Sequence, residues 1–300
     1  MAAKPKLIVI AGPTAVGKTG IAIELAKQLN TEIISADSRQ CYQGMAIGTA
    51  QPSAAERLAI PHHFIDCFPP EKALTAADFE HISLNILADI FRRKETAIVC
   101  GGTGLYIKAL CEGLDEMPPV DEEINRSVNQ LFSENGIEWL KDELKKTDPE
   151  FFIGGETENP ARMLRALTFH LSCGKSITQF RTGIKKERPF DIVKTGLELP
   201  REILYNRINL RVDKMMEEGL LEEVKSLFDR RNLKNLNTVG YSELFDYLEG
   251  KVSLDFAIDK IKQHSRNYAK RQLTWFKRDH EFQWMDANDP EIIEKIISIL

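Results

Sequence analysis

The chain has 300 residues, 43% hydrophobic and 28% charged, with a formal net charge of −5, which suits one large domain or a core carrying an inserted module with ample apolar material to bury. No apolar run approaches the ~20 residues of a membrane helix, so a soluble, cytoplasmic protein working without a membrane is expected. Its cysteines, Cys41, Cys67, Cys100, Cys111 and Cys173, include no C-x-x-C pair, which argues against a structural zinc site or a disulfide framework and fits a reducing compartment.

The first predicted strand, Leu7–Ala11, is too short for the core of a secretory signal and runs straight into Gly12–Thr19, GPTAVGKT. This is the G-x-x-x-x-G-K-[ST] pattern between a strand and a helix-like stretch, Thr19–Leu29. Its glycines let the backbone turn tightly and aim successive N–H groups at a phosphate chain, and the helix adds the positive end of its dipole. Gly12, Thr14, Ala15, Val16, Gly17, Lys18 and Thr19 are therefore the candidate diphosphate contacts. Lys18 supplies a point charge, and the Thr19 hydroxyl a ligand for Mg²⁺. An ordinary glycine turn leaves Lys18 and Thr19 unexplained. The loop alone does not say whether its phosphates belong to a phosphate-donating nucleotide or to another diphosphate.

Further strands are expected at Glu32–Ser35, Phe64–Asp66 and Thr96–Cys100, with helices at Ala54–Ala59 and Ala76–Arg93 among them. Such alternation predicts an α/β fold with a doubly wound parallel sheet, covered on both faces. Ligands then gather at the carboxyl ends of the strands, where GPTAVGKT, ADSRQ and GGTG all fall. Asp37 is either a general base or a cap for the next helix. Gln40 has an amide suited to paired hydrogen bonds with an adenine edge. Gly101 and Gly102 permit close approach of the backbone to a ligand, and Thr103 adds a hydroxyl, although a tight turn with a threonine cap competes. No strand ends in four apolar residues and Asp, which counts against an ordinary ATPase.

The pattern changes at Gly113–Glu123, whose prolines and acids read as a hinge. From Ile124 to about Gln179 it is helical throughout. A strand-like Phe190–Leu199 then follows the basic tract Arg181–Arg188. The expected division is 1–114, the first part of the core; 115–190, an all-helical insertion domain; and 191–300, the second part, with a mostly helical C-terminus. Arg207, Arg211 and Lys214 share a helix face that suits anionic oxygens, with a surface network involving Glu217 and Glu218 as the alternative. Arg162 and Arg165 also share a face. Between Lys260 and Arg278 stand seven basic residues and no acid. Tyr268, Trp275 and Phe276 interleave with them, which suits RNA, although a solvated helix face accounts for the charge alone. His62, His63, His81, His170, His264 and His280 lack metal-ligand spacing and read as structural. Ile292, Ile293, Ile296, Ile297 and Leu300 line one face of a last helix, for packing.

In unbroken order from Leu7 to Lys277, GPTAVGKT, ADSRQCYQGMAIGTAQP, PHHFID, GGTGLYIKAL, NPARMLRAL, RINLRVDKMMEEGL, TVGYSELFDYLEG and RNYAKRQLTWFKR resemble the tRNA dimethylallyltransferases, also called tRNA isopentenyltransferases, in their bacterial form. The resemblance implies a P-loop NTPase-like core that moves a dimethylallyl group from dimethylallyl diphosphate to N6 of the adenosine at tRNA position 37, releasing diphosphate. It implies that Asp37 is the base and that Thr103 is the hydroxyl beside the diphosphate. Lys18, Thr19 and Arg211 would hold the diphosphate and its Mg²⁺. It further implies tRNA contacts from Asp37, Ser38, Arg39 and Gln40, from Thr103 and Asn125, and from Ala161, Arg162, Met163, Leu164 and Arg165. Lys270 and Arg271 are the basic strip's candidates for the anticodon stem-loop. Ala161 stands where the family usually has Gln, and Asn125 where it tends to have Arg. A single copy of the chain is the expected working unit. The alternative from another reaction class is a small-molecule kinase using ATP.

Overall fold

The computed structural model describes residues 4–300. Strand β1 (Lys6–Ala11) is buried at every residue from Leu7 onward, as a strand covered on both faces of a parallel sheet must be. The chain continues through α1 (Lys18–Gln28), β2 (Ile33–Ser35), α2 (Ala54–Ala59), β3 (His62–His63), α3 (Ala76–Phe91), β4 (Thr96–Gly101) and α4 (Gly104–Glu112). Helices α5 (Glu122–Thr147), α6 (Pro149–Gly154) and α7 (Pro160–Cys173) follow. The rest is β5 (Asp191–Glu198), α8 (Arg201–Glu217), α9 (Leu220–Ser226), α10 (Tyr241–Leu248), α11 (Leu254–Phe276), β6 (Gln283–Asp286) and α12 (Ile292–Ser298).

The six strands form one sheet in the order β3-β2-β4-β1-β5-β6, and every pairing is parallel. The β1-to-β2 and β4-to-β5 connections run in opposite directions along the sheet, so right-handed crossovers send them to opposite faces. On one face Ile8 and Ile10 pack with Ala22, Leu25, Ile292 and Ile296. Leu7 and Val9 alternate to the other face and are no more exposed. There Phe79 of α3 stacks on Tyr106 of α4, ring centroids 4.4 Å apart. Because the strands are parallel, the loops leaving β1, β2 and β4 open at the same edge.

One expectation is corrected and one element is added. The third strand is His62–His63, paired with Ile33–Ile34, whereas Phe64 and Asp66 have positive φ (65° and 52°) and turn the chain. Phe64 is apolar because its ring sits edge-on to Phe79 at 5.0 Å, not because it extends a strand. The C-terminal part also holds a strand, β6, whose half-buried QWMD pairs with β5 at the sheet edge.

The chain divides into two units. One comprises residues 4–112 and 187–300 of the described chain, the other Gly113–Lys186. The boundary falls earlier than the expected residue 190. Arg188 pairs with Glu80 at 2.7 Å and donates to the Ala109 carbonyl at 2.8 Å, which ties this stretch to the first unit. The second unit has its own core, with Leu140, Leu144, Phe151, Met163 and Leu167 packed together. Its α7 is started by the Asn159 side chain and Pro160 and ended by a left-handed Gly174.

Candidate active site

The loops after β1, β2 and β4 meet α8 and α11 around a cavity of about 260 Å³. Its wall includes Thr14, Ala15, Lys18 and Thr19 of the first loop, Asp37 to Gln40 of the second, Gly101 and Gly102 of the third, Arg211 of α8, and Tyr268 and Gln272 of α11. The first loop turns through Gly17 at φ 109°, a conformation that an L side chain resists. Helix α1 starts at the next residue without a side-chain cap, so its first N–H groups are left to an anion.

Lys18 lies across its own loop, Nζ donating to the Gly12 and Pro13 carbonyls at 3.0 and 2.7 Å. Burial lowers its pKa to about 8; the Arg211 charge pushes it the same way and the Asp37 charge opposes. Burial also holds Arg211 below the usual guanidinium range, against the pull of Asp37. Two cations and one carboxylate thus share a small volume and act on one another. Cys100 beside them is pushed up to about 11 by burial and stays a neutral thiol.

Of the predicted stripe on α8, only Arg211 lines the cavity. Arg207 braces the loop from outside, donating to the Val16 carbonyl at 3.2 Å and to Asn288 Oδ1 at 2.7 Å. Lys214 is exposed and paired with Glu218. Val16 is fully buried, and its N–H turns to the Pro13 carbonyl at 3.4 Å. It shapes the loop and offers no free amide to a phosphate.

The helix cap weighed for Asp37 is not formed. Its Oδ1 accepts from the N–H groups of Arg39 and Gln40 at 2.9 and 3.3 Å, closing an Asx turn rather than capping a helix, and the carboxylate still lines the cavity. Thr103 joins the second and third loops. Its N–H donates to the Ala36 carbonyl, and its Oγ1 accepts from the Ser38 N–H, both at 3.0 Å. The Tyr268 phenol hydrogen-bonds the same hydroxyl, and burial together with the Asp37 charge lifts its pKa to about 12.

Three expectations about RNA contacts are overturned. The Gln40 amide is committed within the protein: Oε1 accepts from Ser35 at 2.9 Å, and Nε2 donates to the Thr49 and Ala50 carbonyls at 3.1 and 2.9 Å. It has no edge left for adenine. Met163 is 0% exposed in the core of the helical unit, and Leu164 packs against that core, because α7 turns these residues inward while Ala161, Arg162 and Arg165 stay exposed. On α11, Phe276 is buried against Phe282 and Tyr268 stands on the cavity wall, so neither is a stacking platform. Asn125, Lys270 and Arg271 are exposed, the last with its guanidinium 5.7 Å from the Tyr268 ring centre.

Three residues of the site were not anticipated. Gln272 is 5% exposed; its Oε1 accepts from the Thr14 N–H at 2.8 Å, and its Nε2 donates to the Gly102 carbonyl at 3.0 Å. His62, read as structural, lines the cavity. Its Nδ1 bonds the Ile60 carbonyl at 2.7 Å, its buried Nε2 has no protein partner, and burial holds its pKa below the usual value. Glu223 accepts from the Ile47 and Gly48 N–H groups and from the Tyr241 hydroxyl at 2.8, 2.9 and 2.6 Å, fixing a stretch that lines the cavity. The α11 signal was available: Ile261, Ala269, Gln272 and Phe276 mark its buried side in a helical period.

Among the described residues, one acidic trio, Glu112, Asp279 and Glu281, has metal-like spacing. It surrounds the Lys194 ammonium at 3.1, 2.7 and 2.7 Å, so the place a cation would take is held by that side chain. No helix of the described residues is long and apolar enough to cross a membrane.

A glycine loop, two half-buried cations and a carboxylate meet at the open edge of a parallel sheet, and this is the site of a transferase. The family model described as IPP transferase matches residues 40–279, and the chain belongs to that family. It is 46% identical over 291 residues to tRNA dimethylallyltransferase 1 of Bacteroides thetaiotaomicron, covering 97% of this chain and 94% of that protein. Its fold is similar to the crystal structure of a tRNA isopentenylpyrophosphate transferase from Bacillus halodurans (TM-score 0.71, 41% identity, 99% of this chain and 94% of that one). It is also similar to a eukaryotic dimethylallyltransferase captured acting on tRNA (TM-score 0.76, 28% identity, 98% and 77%).

Proposed function

We propose that this chain transfers a dimethylallyl group from dimethylallyl diphosphate to N6 of the adenosine at position 37 of tRNA, releasing diphosphate, on a core of P-loop NTPase type. The observation that carries this reading is the shared cavity wall, where Lys18, Thr19 and Arg211 stand with Asp37. The names borne by the relatives support it.

The amides that open α1, with Lys18 and Arg211, hold the diphosphate and stabilise the charge that grows as the bond from C1 to oxygen breaks. The adenine N6 lone pair is delocalised into the ring and attacks poorly. Asp37 takes the N6 proton as the C1–N6 bond forms, worth roughly 10²–10⁴-fold in rate. Its Oδ2 accepts no hydrogen bond from the described residues, which leaves it for that proton. Extruding the base costs about a few kcal/mol, and exposed Lys270, Arg271, Arg162 and Arg165 offer phosphate contacts that offset it.

The residues fit Mg²⁺. The Thr19 hydroxyl supplies one oxygen, too few for a protein cage but suited to an ion that keeps water and phosphate ligands. When bound, it adds positive charge at the diphosphate. The working unit in this reading is a single copy of the chain. The free state of all five cysteines fits the cytoplasm.

Incubating the purified protein with tRNA and dimethylallyl diphosphate, followed by mass spectrometry of adenosine 37, tests the reading. Dimethylallylated adenosine and released diphosphate are expected. Unmodified adenosine, or formation of ADP when ATP and candidate acceptors replace the donor, overturns it.

A further inference from the structure

We propose that Gln272 is a positioning residue that sets the register between the loop holding the leaving group and the loop beside the base. The inference rests on the transfer reaction proposed above and assigns a task to a residue that touches neither substrate's reacting atoms.

Gln272 comes from α11, more than two hundred residues after the phosphate loop and well over a hundred after the Gly102 loop. Both ends of its amide are engaged: the oxygen takes the Thr14 N–H and the NH₂ group gives to the Gly102 carbonyl. Neither an apolar residue nor a hydroxyl of ordinary length satisfies both at once. The fit is close on the far side as well, since a Cβ on Gly102 would fall 2.1 Å from Gln272 Nε2. From Gly102 the connection continues through Thr103, whose N–H and Oγ1 bind Ala36 and Ser38 on either side of Asp37. A run of hydrogen bonds therefore leads from the phosphate loop to the base through one buried side chain. By occupying the Thr14 N–H, the Gln272 oxygen also removes that donor from phosphate, which confines the diphosphate to the amides nearer α1.

Transfer needs C1, N6 and the carboxylate aligned, and a misplacement of about 1 Å costs on the order of 10²-fold. Gln272→Leu is therefore expected to lower kcat by about 10²-fold while KM for donor and for tRNA stays within about threefold, the pattern of an interaction needed only in the transition state. Gln263→Leu, which alters an exposed glutamine of the same helix, should track the unaltered enzyme. Gln272→Glu is the conservative variant. Its acid form still accepts from Thr14 and donates to Gly102, whereas its ionised form sets an anion against the Gly102 carbonyl. Its kcat should recover as pH falls, a dependence that the unaltered enzyme lacks.

Amide hydrogen exchange supplies a readout without substrate, with Thr14 N–H protected in the unaltered protein and exposed by Gln272→Leu. Unchanged protection, a kcat within about threefold of normal, or a loss lying wholly in donor KM overturns the proposal. If Gln272→Leu does not fold, the pH profile of Gln272→Glu decides. If the unaltered enzyme leaves adenosine 37 unmodified, the functional reading fails, and exchange at Thr14 still decides whether the two loops are joined.

Discussion

Helices α7 and α11 both carry the arginines and lysines that sequence alone assigns to RNA, yet they are built for different ends. The inward side of α7 is apolar apart from Thr168, with Met163, Ala166 and Leu167 closing the core of the helical unit, and its arginines stand on the surface. The inward side of α11 is mixed. Ala269 joins the core cluster, while Tyr268 and Gln272 reach the cavity with their polar ends bonded to the loops. An amphipathic helix whose buried face makes no hydrogen bond to the cavity loops can contribute affinity and its own unit's stability. One whose buried face carries hydrogen-bonding groups at the carboxyl ends of the strands also sets the geometry of reaction. Changes in α7 should therefore separate from chemistry, and changes in α11 should not.

The largest effect tests whether chemistry resides wholly in the sheet-based unit. Asp37→Asn keeps an oxygen for the Arg39 and Gln40 N–H groups but cannot take a proton, so turnover should fall by roughly 10²–10⁴-fold with donor affinity preserved. Rapid-quench turnover and calorimetric binding of the donor check it. An equal loss of donor affinity would make Asp37 part of the diphosphate site. Next in size is Met163→Ala, which opens a void in a fully buried position and should cost about 2–5 kcal/mol of stability in the helical unit. Donor affinity, measured on the folded variant, should not move. If it does, the independence of donor binding from the α7 core is wrong.

A smaller effect comes from pH. Lys18, with its pKa lowered to about 8 by burial, is protonated below that value and attracts the diphosphate; above it the charge is lost. Donor binding should therefore weaken as pH rises past about 8, approaching tenfold per unit, with uptake of one proton per donor bound. Calorimetry at pH 9 in two buffers of different ionisation enthalpy measures that proton. Equal observed heats in the two buffers would show that no proton is taken up and that Lys18 is not the group that titrates.

Much of this was legible in the residues. The strand–loop–helix of GPTAVGKT and the parallel alternation around it were plain because period and glycine placement are local signals. Ile292 to Ile296 read correctly as a packing face for the same reason. What failed depended on direction. Met163 stands between two arginines in sequence and under them in space. Gln40, Tyr268 and Phe276 carry groups suited to bases, but the fold had already bonded or buried them. Strand β6 is short and half-buried at an edge, where alternation carries little signal. Gln272 was hidden by its neighbours, since a basic run draws attention to charge and away from the helical phase that turns one amide inward.

The smallest expected effect sharpens the comparison most directly, because it sets the two basic helices against each other in one assay. Lys270→Ala with Arg271→Ala removes exposed charges from α11, and Arg162→Ala with Arg165→Ala does so from α7. For every phosphate that goes unneutralised, the slope of log affinity against log salt should become shallower by about 0.7–0.9, with each pair costing on the order of 1 kcal/mol at moderate salt. Arg162 is the weaker of the α7 pair, since Glu156 already holds its guanidinium. If the helices act only through backbone phosphates, the two effects should add within about 0.5 kcal/mol and leave single-turnover chemistry at saturating tRNA unchanged for α7. For α11 a drop in that rate is expected as well, because Arg271 lies against the Tyr268 ring, whose phenol bonds Thr103. Equal behaviour of the two pairs, in slope and in rate, would mean that α11 binds RNA on its outer face without any hold on the cavity behind it.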